Sequence, residues 1–157
     1  MITIKSDLDK LLKQMDRQKD LVNSLNPSVS VGWQQGRNSD IALWLHDGVK
    51  TKDGTQWRIV PRPFFDILLS SAEFEKASRK WNKEIFQALN SDTPKPSLHK
   101  VLNNISVELK VMLEEILQDY PFEPNQPNTI NKKQNDTLFI DTGEWLKALQ
   151  SQVGVIE

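Results

Sequence analysis

Between Leu98 and Leu117 the apolar residues Leu98, Val101, Leu102, Ile105, Leu109, Met112, Leu113, Ile116 and Leu117 recur every three or four positions. A strand alternates faces every two residues, so only an α-helix gathers these side chains into one stripe. A stripe this wide has to be covered by other elements of the chain. The fold is therefore built around a long helix that ends near Tyr120-Pro121.

The rest of the sequence supplies the cover. Ser6 is a plausible N-cap with Asp7 and Asp9 behind it, and Leu8, Leu11, Leu12, Met15 and Val22 keep helical spacing until Asn26-Pro27 stops them. This predicts an N-terminal helix over residues 1–25. Val29 to Trp33 alternates as a strand does, Gln34 to Asp40 reads as a polar turn, and Ile41 to Leu45 is too short for periodicity to assign. Asp53-Gly54 marks a hairpin turn before the strand Gln56 to Val60, so residues 28–60 are expected to be strands with a hairpin loop. Helical spacing resumes at Phe64 and runs to about Asn90. After the linker Ser91 to Pro96 the long helix is expected to start at Ser97, giving two helices over residues 63–120.

Residues 121–140 form a polar arm with three prolines, expected to be extended and either mobile or pinned against something else because it has little apolar surface of its own. The arm ends in an apolar step, Leu138-Phe139-Ile140, that reads as a short buried segment. Asp141 then caps a short helix, with Glu144 completing a capping-box pattern, and Gln150 to Ile156 alternates as a terminal strand within residues 141–157. The expected class is α+β in one domain over 1–157. A small, mostly antiparallel sheet packs with long helices, and a Pro-rich C-terminal arm extends from them.

Composition removes several functions. The formal net charge of −1 argues against a large basic face for duplex nucleic acid, and the absence of Cys excludes disulfides and thiolate metal sites. The start Met1 to Ser6 lacks the pattern of a signal peptide, and no apolar run approaches the length of a membrane span. The expectation is an intracellular product with no membrane partner and no cofactor. His46 and His99 are the only histidines, and neither has carboxylates at ligand spacing, so no metal site is expected.

One motif offers catalysis. Phe139-Ile140-Asp141-Thr142-Gly143 matches the string that retroviral-type aspartic proteases use to pair two carboxylates across a dimer axis. Its context differs: Glu144-Trp145 follows where a small residue belongs, and only 14 residues remain after Gly143, too few for a flap and a second apolar-Gly segment. Asp141 as a helix cap is the preferred reading, and a three-residue motif carries little weight. A second candidate is the loop bearing Lys50, Lys52, Asp53, Gly54 and Arg58. A solvated hairpin is the plain reading, while several copies around an axis would give it partners or nucleic acid to touch.

Three segments together resemble the neck or tail-completion proteins of long-tailed bacteriophages, a family of minor tail and virion-morphogenesis components. They are Val31-Gly32-Trp33, then Val60-Pro61-Arg62-Pro63-Phe64-Phe65, and then the run from Pro121-Phe122 through Pro124-Asn125, Pro127-Asn128-Thr129-Ile130 and Lys132-Lys133 to Leu138-Phe139-Ile140-Asp141-Thr142-Gly143-Glu144-Trp145-Leu146. The chain departs from the family at Trp44 to Gly48, where an aromatic-Gly pair is usual, at Phe139, where a small apolar residue is usual, and in a longer loop between Gly48 and Trp57.

The resemblance implies a non-enzymatic homo-oligomer, a six-membered ring between head connector and tail in the virion, assembled in the bacterial cytoplasm. Its partners would be the head-closure or connector protein and the tail terminator, tube or sheath proteins, with nonspecific contact to DNA in the channel. The implied interface residues are Pro61, Arg62, Pro63, Phe64, Pro124, Asn125, Pro127, Asn128, Thr129, Asp141, Thr142 and Gly143. Two readings stand for Arg62, a partner across an interface or a carbonyl or carboxylate within its own subunit. The alternative function is a phage-encoded binding or regulatory protein that stays outside the virion.

Overall fold

The computed structural model describes residues 4–125, 127, 130, 131, 139 and 144–154, with side chains from residue 12 onward. The elements in chain order are α1 (Ile4–Leu25), β1 (Val29–Gly32), α2 (Arg37–Asp47), β2 (Val49–Lys50), β3 (Trp57–Ile59), α3 (Phe64–Ser70), α4 (Ala72–Leu89), α5 (Pro94–Asp119), α6 (Glu144–Lys147) and β4 (Gln150–Val153). The fold is α+β, with long helices and two separate two-stranded antiparallel sheets, β1–β4 and β2–β3.

The apolar stripe organises the molecule as its spacing predicts. Leu98, Leu102 and Ile105, in the first half of α5, pack with Leu25, Trp81 and Ala88. Leu113 and Leu117, in the second half, pack with Ala42, Phe64, Leu68, Phe139 and Leu149. Met112 and Phe74 border both clusters, so one helix serves two cores. Between α4 and α5 the Glu108 carboxylate accepts from Trp81 Nε1 at 2.7 Å and from Lys80 Nζ at 2.6 Å. The Lys80 ammonium, with help from Trp81 N–H and against the opposing effect of burial, holds the Glu108 carboxyl below the usual range, and Glu108 in turn raises Lys80.

The β1–β4 sheet joins the beginning of the chain to its end, with Val29 opposite Val153 and Gly32 opposite Gln150. Gly154 N–H extends the pairing to the Ser28 carbonyl at 2.7 Å. One side of this sheet rests on α5, where Ser106 Oγ donates to Ser151 Oγ at 3.3 Å. The other side presents Ser30, Gln150 and Gln152 to solvent, the polar-out alternation of a half-buried strand pair.

Four expectations are corrected. Residues 37–47, read as a polar turn plus an unassigned run, form α2; Ser39 Oγ starts it by accepting from Gly36 N–H at 3.0 Å and donating to Gly36 O at 2.7 Å. The region 63–120 holds three helices, because Ser71 ends α3 and its Oγ accepts from Phe74 N–H at 3.0 Å as the cap of α4. The long helix starts at Pro94 instead of Ser97, since a proline in the first turn gives up only an N–H that has no helical partner there. In the arm, Pro127, Ile130 and Asn131 have helical backbone where an extended chain was expected.

Gly48 is the tightest point between α2 and the β2–β3 sheet. Its backbone lies at φ 75, ψ 168, a region open to glycine almost alone. A Cβ there would sit 2.8 Å from the Ile59 carbonyl oxygen and 2.8 Å from Pro61 N. Gly48→Ala is expected to cost about 2 kcal/mol, read as a shift in the urea midpoint; an unchanged midpoint would mean that the corner is free to move.

Candidate functional site: the Pro-Arg-Pro corner and the base of the arm

Pro61-Arg62-Pro63 turns the chain from β3 into α3. Arg62 N–H donates to the Leu45 carbonyl at 2.8 Å, which ties the corner to the end of α2, and Arg62 O accepts from Phe64 N–H at 2.7 Å. Pro63, with its φ fixed by the ring, stands at the cap of α3, and its carbonyl accepts from Ile67 N–H at 3.0 Å. This rigid turn drives Phe64 into the core, where it is fully buried. Its ring meets Trp33 and Phe139 edge-on at 6.0 Å each and Trp145 at 6.4 Å.

The Arg62 side chain points toward the base of the arm. It is only 4% exposed, and its guanidinium addresses the main chain just past α5. Nη2 donates to Glu123 O at 3.1 Å, to Pro124 O at 3.4 Å and to Asn125 Oδ1 at 3.4 Å, while Nε reaches Glu123 O at 3.3 Å. These are long, shared bonds from a planar fork, a geometry lysine cannot reproduce. Burial lowers the Arg62 pKa, and the Glu123 carboxylate partly offsets that. A carbonyl partner within its own subunit, one of the two readings for Arg62, is present.

Phe139 closes the site. It is 7% exposed and stacks on Trp145 at 5.8 Å, with Phe122 edge-on at 5.2 Å and the Arg62 guanidinium 5.8 Å above its ring. It does so at φ 57, an uncommon backbone for a bulky residue, so its packing must outweigh local strain. Trp145 stacks in turn on Trp33 at 4.2 Å and donates its Nε1 to Asn38 O at 3.0 Å; Trp33 Nε1 donates to Trp145 O at 2.7 Å. Aromatic pairs of this kind add about 0.5–1.5 kcal/mol each beyond their area.

Three of the expected interface residues, Arg62, Pro124 and Asn125, therefore meet in space, and Pro61, Pro63 and Phe64 set their position. Pro127 is exposed beyond them. Asn128, Thr129, Asp141, Thr142 and Gly143 lie outside the described residues, and with them the helix cap and the protease motif. Lys50, Lys52, Asp53, Gly54 and Arg58 form a separate feature, the exposed β2–β3 hairpin, with Lys50 Nζ 5.0 Å from the Trp57 ring centroid. The Trp33–Trp145 stack and the packing of Phe139 against Arg62 are absent from the residue-level reading, because no local pattern links positions so far apart in sequence.

In this assembly a cation holds carbonyls at the base of the arm, and an aromatic plug holds residue 139. Among the described residues no helix is long and apolar enough to cross a membrane. Comparison with family models, with curated proteins and with solved structures returns no match.

Proposed function

We propose that this chain is a structural subunit of a long-tailed bacteriophage virion. It forms a ring in the neck that completes the tail and joins it to the head connector, with no catalytic step. One observation carries the reading. Two of the segments on which the resemblance rests, Pro61 to Phe65 and Pro121 to Asn125, are joined by the Arg62 guanidinium although they lie some sixty residues apart. A long polar arm fastened at its base and plugged near its far end by Phe139 suits a subunit that reaches a neighbour while keeping its own core closed.

In this reading the ring is a homo-oligomer of six copies, seated between the head-closure or connector protein and the tail terminator, tube or sheath. Mass spectrometry of purified particles tests it: the chain should appear in low, ring-like copy number. Its absence from particles would sink the reading and favour a phage-encoded binding or regulatory protein that stays outside the virion. A chain ending at Tyr120 loses β4 and the buried Leu149, and is expected to be partly folded and unable to join heads to tails. Normal yields of infectious particles from that truncation would overturn the assignment.

A further inference from the structure

Two exposed features of the chain are complementary to each other. The first is the β2–β3 hairpin, whose residues 52–58 are all exposed. Trp57 is 42% exposed at its edge, an unusual place for the largest side chain in a small domain. Lys50 Nζ lies 5.0 Å from its ring centroid, Lys52 and Arg58 stand on the same hairpin, and none of the three reaches a carboxylate among the described residues. The hairpin's one acid is already engaged. Asp53 accepts from the Thr51 hydroxyl and from Thr55 N–H at 3.2 Å, bonds that hold its carboxyl below the usual range. Thr51 N–H to Gln56 O and Gly54 N–H to Thr51 O, both 2.9 Å, close the loop. The tip is thus preformed, basic and aromatic.

The second feature is a groove of about 300 Å³ between the ends of α3 and α5 and the start of α4. Leu68, Met112, Ile116 and Tyr120 supply its apolar lining, and Glu73, Glu115 and Asp119 its exposed rim. These three carboxylates form no ion pair among the described residues. Two of them crowd the end of α5, whose last turn holds no basic residue. A helix C-terminus carries partial negative charge, so acids there are locally unfavourable and call for an external cation. An arrangement that breaks a local rule without repair inside the chain points to a partner.

We propose that the hairpin of one copy docks into the groove of a second copy, Trp57 entering the apolar lining while the hairpin cations face the carboxylate rim. Three hairpin cations without a carboxylate partner, one of them already against the Trp57 ring, match three carboxylates on the rim of an apolar groove of about 300 Å³. Each copy offers one hairpin and one groove on different elements. The contact is therefore head-to-tail, the kind that closes into a ring when its rotation permits. The proposal takes the identity of the second copy from the ring reading and adds the surfaces through which copies meet.

Sedimentation of the purified full chain tests it over a range of protein and salt concentrations. Association should weaken as salt rises. Trp57→Ala should weaken it about thirtyfold, as loss of a central aromatic anchor does. Lys52→Glu with Arg58→Glu, and separately Glu115→Lys with Asp119→Lys, should each weaken it by about tenfold or more. Mixing these two charge-reversed chains should restore association, since one then offers an acidic hairpin and the other a basic groove. The groove variant should melt no lower than the parent, because lysine at a helix C-terminus is favourable. A chain that stays monomeric throughout, or associates with unchanged affinity in every variant, overturns the proposal. So does a result in which the hairpin variants lose only binding to a duplex oligonucleotide. Detection of the chain in particles is independent of all these outcomes, so the virion reading can survive the failure of this contact.

Discussion

Phe139→Ala is expected to destabilise the protein by about 3–5 kcal/mol, the range for deleting a buried phenylalanine ring. Phe139 touches Trp145, Phe64 and Phe122 and sits beneath the Arg62 guanidinium. Its loss opens a cavity at the point where α3, α6 and the base of the arm converge. Collapse to fill that space is hindered because Phe64 and Trp33 are themselves fixed by edge-on contacts. The effect should appear as a lower urea midpoint together with altered tryptophan fluorescence, since Trp33 and Trp145 lie in the same stack. Phe139→Leu should recover roughly half of the loss, by restoring apolar volume without ring geometry. A cost under about 1 kcal/mol for the alanine variant would show that the end of the arm packs only loosely.

Arg62→Ala is expected to cost about 2–3 kcal/mol, from the part-buried hydrogen bonds to Glu123, Pro124 and Asn125 that are lost and from the stem lost over Phe139. The loss should be local as well as global. Without the guanidinium, the carbonyls of Glu123 and Pro124 have no fixed partner from the corner, and the chain just past α5 should become open to proteases. Limited proteolysis followed by mass spectrometry would place new cuts close to residues 121–125. Arg62→Lys keeps the charge but replaces a planar fork with a single ammonium group, and should behave much more like alanine than like arginine. A lysine variant as protease-resistant as the parent would show that charge alone holds the arm.

The legible parts of the fold were those with a local period. The α5 stripe, the alternation of β1 and the Asp53-Gly54 turn each declare themselves within a few residues. The turn is seen between Lys50 and Trp57, with Gly54 at φ 73. The division of α3 from α4 was missed because the apolar spacing from Phe64 to Leu89 continues in phase across Ser71, and only the serine hydroxyl announces the break. The start of α2 was missed because glycine stands at the capping position and Ser39 acts from inside the helix. In the candidate site, Arg62 showed that a multivalent donor sat in a rigid corner, but its partner lay beyond the reach of any pattern. The segments of the expected family resemblance include both ends of that contact, but nothing in their pattern implies that they touch. The acidic groove could have been suspected from one signal, the lack of any basic residue in the last turn of α5.

The pairing of β1 with β4 has a consequence in time. Val29 precedes Val153 by 124 residues, so the first strand has no partner until β4 has been made. Contacts of such sequence separation form late and slowly. An interrupted product would carry β1 with an unpaired edge, the kind of surface that recruits proteases and other unfolded chains. Only chains that have reached β4 hide that edge, so the last strand to be made is also the one that protects the first.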